Sequence, residues 1–108
     1  THSHLNLKKL SEEDAFLEMT KSKFLLEEQL SHCVDHLAYP FGTRNEADMR
    51  EFKLANRSGF KTAVTTRPET ISSPSSHSIP RLGVPPYLTL QGFKGKLSGT
   101  EHLISKFI

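Results

Sequence analysis

Apolar positions recur at helical spacing in the first third of the chain and then give way to short β-branched and aromatic runs. The opening residues, with Leu5, Leu7 and Leu10, read as the exit from a strand into a loop. Ser11-Glu12-Glu13-Asp14 puts a Ser N-cap and three acids where a helix begins. At about 100° per residue, Ala15, Phe16, Met19, Leu26 and Leu30 share one arc, with Leu17 and Phe24 flanking it. The pattern predicts a helix to about Leu30 that packs against a sheet and touches neighbouring helices. Val34 to Tyr39 reads as a short buried strand stopped by Pro40 and Gly42. Asn45 is placed to cap a second helix, with Glu46 and Asp48 in its first turn. Met49, Phe52 and Ala55 follow at helical spacing, and Gly59 stands just past its end. Phe60 to Thr66 predicts the next strand, Ser72 to Ser78 an exposed loop, and Ile79 to Val84 another short strand. Pro85-Pro86 turns the chain, and the residues from about Leu88 predict one or two helices broken near Ser98-Gly99.

Strands alternating with helices argue for an α/β fold with a parallel sheet and right-handed crossovers. The strands suit an open sheet or a segment of a barrel; an intact (β/α) barrel takes about 200 residues or more, and this chain has 108. Composition narrows the function classes. The net charge of +2 comes from scattered basic residues, without the clustered basic face that nucleic-acid binding needs. No apolar run approaches the length of a membrane span. Cys33 stands alone, so no intrachain disulfide forms, and it reads as a small half-buried apolar residue. No secretory leader is visible ahead of Thr1, and the compartment, extracytoplasmic or cytoplasmic, stays open.

Three segments carry candidate chemistry. In Thr1-His2-Ser3-His4-Leu5-Asn6-Leu7, two imidazoles at i and i+2 would share one face of a strand and approach one metal, or simply form a solvated end. Tyr39-Pro40-Phe41-Gly42 makes a turn at the C-terminal end of a strand, where parallel α/β folds place ligands. Its backbone N–H groups suit a developing oxyanion; a plain strand-to-helix turn would look the same. In Ile79-Pro80-Arg81-Leu82-Gly83-Val84, a buried Arg81 would need an anion or a carbonyl, from substrate or from the protein. His32, His36, His77 and His102 read as structural or solvated, and Glu12-Glu13-Asp14 and Glu27-Glu28 as solvated helix faces. There is no phosphate-binding glycine loop and no serine nucleophile elbow.

Taken in order, these segments resemble the polysaccharide deacetylases of the nodulation-protein-B type, carbohydrate esterase family four. Thr1 to Leu7 is similar to that family's H-[ST]-x-x-H motif from its second position, with His4 as the second histidine; the first would precede Thr1. Tyr39-Pro40-Phe41-Gly42 resembles the third motif, although the arginine usually found there aligns with Ala38. Leu54 to Thr66 resembles the helix-Gly-Phe-strand unit, and Ile79 to Val84 a Leu-Pro-Arg-Ile-x-Val strand of one bacterial branch, as does the Leu97-Ser98-Gly99 ending. The Thr-Phe-Asp-Asp-Gly motif, the fourth-motif tryptophan and the Leu-x-His motif have no counterpart.

The resemblance implies the C-terminal part of a distorted (β/α) barrel, residues 1–108 forming a partial domain without its N-terminal catalytic segment. It implies a hydrolase acting on a non-peptide C–N bond: metal-dependent N-deacetylation of an N-acetylated poly- or oligosaccharide by the intact protein. Such sites hold zinc or another divalent metal on one Asp and two His. His4 would be a metal ligand, the Phe41 N–H an oxyanion donor, and Tyr39, Pro40 and Gly42 would line the sugar site. The base and acid have no candidates, so the chain alone is expected to be inactive and to bind no metal by itself. Self-association, or association with the missing N-terminal segment, is expected, because a partial barrel exposes edges and apolar faces. Two other readings stay open: a non-catalytic carbohydrate-binding or regulatory homologue of the same fold, and an unrelated small α/β module.

Overall fold

A computed structural model describes residues 1–71 and 75–99. A 3-10 turn, Leu7–Lys9, leads into helix α1 (Glu12–Leu30); then come β1 (His36–Ala38), α2 (Met49–Arg57), β2 (Thr62–Val64) and α3 (Leu90–Leu97). The fold is mixed α/β, and β1 and β2 pair in parallel with His36 opposite Thr62 and Ala38 opposite Val64. On the other side of β2, Ile79 forms a single parallel bridge to Val64. Its N–H donates to Ala63 O at 3.0 Å, and its carbonyl accepts from Thr65 N–H at 2.8 Å.

The caps explain most of the helix boundaries. Ser11 Oγ accepts from Asp14 N–H at 3.1 Å, as the sequence predicts for α1. The cap of α2 is Asp48, three residues later than Asn45. Asn45 is consumed by the preceding turn, where Thr43 Oγ1 accepts its N–H at 3.2 Å, while Glu51 reaches back to the Asp48 N–H at 2.9 Å. At the far end Gly59 sits at φ +88°, with its N–H on Asn56 O at 3.0 Å and Phe60 N–H on Ala55 O at 3.3 Å. This is the Schellman closure that the glycine announces.

The core gathers Leu7, Ala15, Met19, Leu37, Tyr39, Phe52, Leu54, Phe60 and Ala63 between the two longer helices and the sheet. Only the first half of the α1 stripe enters it: Ala15 and Met19 are fully buried, whereas Leu26 and Leu30 are about half exposed. Leu17 and Phe24, on the far side of α1 from that stripe, are exposed as well. All three strand predictions shorten, Val34–Tyr39 to His36–Ala38 and Phe60–Thr66 to Thr62–Val64. The Ile79–Val84 run contributes only the Ile79 bridge, because Pro80 cannot extend the ladder. Cys33 is exposed instead of half buried, since it lies in the connection after α1 caps out at Ser31 in a left-handed conformation. Helix α3 starts at a Thr89 cap, ends at Ser98-Gly99 and buries none of its side chains. His102 and residues 72–74 of the predicted loop lie outside the described residues. No helix is long and apolar enough to cross a membrane among those that are described.

Candidate functional site

The C-terminal end of β1 places two positive-φ residues in succession. Tyr39 N–H still follows the sheet, donating to Val64 O at 3.2 Å. Phe41 then adopts φ +64° and Gly42 φ +73°. Gly42 N–H donates back to Pro40 O at 2.7 Å, closing a γ-turn with Phe41 at its centre. A positive φ at a bulky residue costs about 1–3 kcal/mol and persists only where its surroundings enforce it. Here Thr66, just past β2, does so: its N–H donates to Gly42 O at 2.9 Å and its hydroxyl to Phe41 O at 2.6 Å. A Cβ on Gly42 would lie 2.9 Å from Thr66 N, so the clamp needs glycine there. With both carbonyls turned to Thr66, the Phe41 N–H has no acceptor among the described residues, and its side chain is 57% exposed.

His4 stands beside this turn, with its ring centroid 5.1 Å from that of Phe41 and the planes tilted by 60°. It is exposed and has φ +54°, so the first residues do not form the strand expected to align His2 with His4. Two anchors fix it instead. Upstream, Glu18 of α1 accepts His2 N–H on its carbonyl at 3.1 Å and Ser3 N–H on its carboxylate at 2.7 Å. Burial pushes the Glu18 carboxyl up, but the Ser3 hydrogen bond and the nearby His2 outweigh this and hold it below its ordinary range. Downstream, Leu7 is fully buried and its carbonyl accepts from Arg50 Nη2 at 2.8 Å.

Tyr39 and Pro40 are buried and support the turn from behind. The Tyr39 ring packs 5.5 Å from Phe52, and its hydroxyl donates to His77 O at 2.6 Å. Burial, and then the charge of Glu51, push the phenol far above its ordinary pKa, so it stays a donor. What the turn leaves available is therefore Phe41: an exposed residue whose N–H has no acceptor among the described residues. His77 Nε2 lies 2.7 Å from Phe60 O and is a structural donor. Arg81 is exposed and donates from Nε to Thr65 O at 3.0 Å, bracing the end of β2 through a carbonyl. Arg44, next to the turn, pairs with Glu69.

The metal expectation meets a shortage of ligands. No group of three or more His, Cys, Asp or Glu converges among the described residues. A catalytic zinc takes three protein ligands, so His4 by itself does not fit a complete centre. Sequence reasoning passed over Thr66 and Glu18, the two residues that hold this site. Thr66 looked like one more β-branched strand residue, and Glu18 like one more helix charge; neither role has a local signal.

Comparison with known proteins gives one strong likeness. No family model matches the chain, and no curated protein does. Among solved structures, the Streptococcus pyogenes deacetylase PplD in complex with acetate superposes with a TM-score of 0.72 at 24% identity. The match covers 86% of this chain, which spans 40% of that structure. The α/β arrangement of β1, β2 and their helices is thus similar to that of part of this structure.

Proposed function

We propose that this chain forms part of a polysaccharide deacetylase-type hydrolase, the C-terminal portion of a distorted (β/α) barrel, that removes acetyl groups from an N-acetylated saccharide. The observation that carries this reading is the pairing of His4 with the strained Phe41 turn on a fold shared with a solved deacetylase. The Phe41 N–H, left without an acceptor among the described residues, serves as a donor to the oxyanion that forms when an acetamide carbonyl is attacked. Thr66 fixes that donor before reaction, so no reorganisation is needed when charge develops. Tyr39, Pro40 and Gly42 contribute as the rigid backing of the sugar site, and the exposed Phe41 ring supplies a flat apolar surface to a sugar face. His4 is this chain's contribution to a divalent metal such as zinc, with the remaining ligands, base and acid supplied by residues other than those described.

The test is acetate release from N-acetylated chito-oligosaccharide by the protein as its gene encodes it, compared with its His4→Ala variant. We expect release that falls at least about a hundredfold in the variant, since loss of even a supporting residue at a metal site costs that order. No release from the wild type, with saccharide binding retained, would instead assign a non-catalytic carbohydrate-binding role.

A further inference from the structure

A cavity of about 510 Å³ opens beside the first turn of α2 and the segment that follows β2, lined in part by Arg44, Asp48, Met49, Lys53, Asn56 and Arg67. Three cations and one carboxylate face it. Arg67 is the unusual member, because a nine-tenths buried guanidinium keeps its charge and needs acceptors. It finds few. Nη2 donates to Ala47 O at 2.6 Å and lies 3.4 Å from Asp48 Oδ1, while Nε is buried with no acceptor among the described residues. Asp48 is also shared, with Lys8 Nζ 3.8 Å away. Lys53 is exposed on the same wall and makes no ion pair among the described residues. With Arg44 paired to Glu69 and Arg67 leaning on Asp48, Lys53 is the lining cation left without an ion pair, and it tips the cavity toward positive charge.

The other lining groups narrow the ligand. Met49 is 62% exposed and Phe52 lies under the Arg67 guanidinium at 5.0 Å, so apolar surface adjoins the charge. Asn56 and Ser78 add an amide and a hydroxyl. That mixture suits a ring bearing hydroxyls and one negative charge better than a compact dianion, which Asp48 would repel. The cavity shares both of its loops with the Phe41 turn: Arg44 lies three residues beyond Phe41, and Arg67 directly follows Thr66.

We infer that this cavity binds a carboxylate-bearing sugar residue, so that the saccharide recognised next to the Phe41 turn is an acidic one. Its place in substrate recognition rests on the deacetylase-type reading; its binding does not, and the two fail separately. The experiment titrates the 108-residue chain by calorimetry with a disaccharide of N-acetylglucosamine and glucuronic acid, with the carboxyl-reduced neutral disaccharide, and with inorganic phosphate. The acidic disaccharide is expected to bind about tenfold more tightly than the neutral one, with affinity falling as salt rises. Lys53→Gln and Arg44→Gln, both at exposed side chains, should each remove several-fold of that preference. Equal affinity for the two disaccharides, a preference unchanged in both variants, or no binding of either would overturn the inference. Tighter binding of phosphate than of the acidic disaccharide would overturn the choice of ligand. Absence of acetate release by the protein as its gene encodes it, alongside a charge-dependent preference, would refute the reaction and leave this site standing.

Discussion

Two glycines with positive φ separate conformational cost from steric cost. At Gly59 (φ +88°) an added Cβ would meet nothing closer than Lys23 Cε at 3.5 Å, so Gly59→Ala pays only for the left-handed backbone, about 1 kcal/mol. At Gly42 (φ +73°) the same Cβ also strikes the Thr66 backbone, and Gly42→Ala is expected to cost roughly 2–3 kcal/mol. Urea denaturation of the two variants gives the comparison; equal losses would mean that the Thr66 clamp yields. Tyr39 allows a test by pH. Its phenol is raised in the folded state above the ordinary value near 10, so the folded chain keeps a proton that the unfolded chain releases. The contribution is constant below about pH 10 and is lost as pH rises beyond it, by about 1.4 kcal/mol per unit. Tyr39→Phe should be less stable at pH 7 by about 1 kcal/mol, through loss of the bond to His77 O, yet should lose less on going from pH 9 to 11. Parallel pH profiles for the two proteins would contradict the buried-donor assignment.

At the scale of elements, what was legible in the sequence was what short-range physics decides. Ser11 and Gly59 marked helix ends because a cap hydroxyl and a left-handed glycine act within four residues. Asn45 was a reasonable cap by type, but Thr43 and Glu46 form a local turn first, so the helix waits for Asp48. The strands around β1 and β2 were read in the right places and too long; past β2, Thr65 and Thr66 continue the β-branched composition beyond the strand. Of the motif residues, the structure brings His4 and Phe41 together across 37 positions of sequence. The devices that hold them were not readable. Glu18 and Thr66 act across long separations through backbone groups, and one side chain in isolation does not reveal such a partner.

The whole molecule carries an imbalance that the sequence pattern already contained. The apolar stripe of α1 extends to Leu30, yet the described fold covers only its first half; Phe24 is 63% exposed, Leu26 49% and Leu30 52%. Strand β1 pairs on one side alone among the described residues. Exposed apolar side chains on α1 and an open strand edge both favour association. We expect the 108-residue chain to self-associate at micromolar concentration by light scattering, and the paired substitutions Phe24→Lys and Leu26→Lys to shift it toward monomer. A wild-type chain that is monomeric throughout would show that these faces need no cover.

The central claim is that His4 and the Phe41 turn are one share of a metal-assisted deacetylase site whose other ligands lie beyond the described residues. Zinc stoichiometry tests it most directly, measured by elemental analysis after loose ions are removed, on the 108-residue chain and on the protein as its gene encodes it. The account predicts almost no zinc on the 108-residue chain and one per molecule on the gene's product, lost in His4→Ala. One tightly held zinc on the 108-residue chain, or a gene product whose zinc is indifferent to His4, would contradict it.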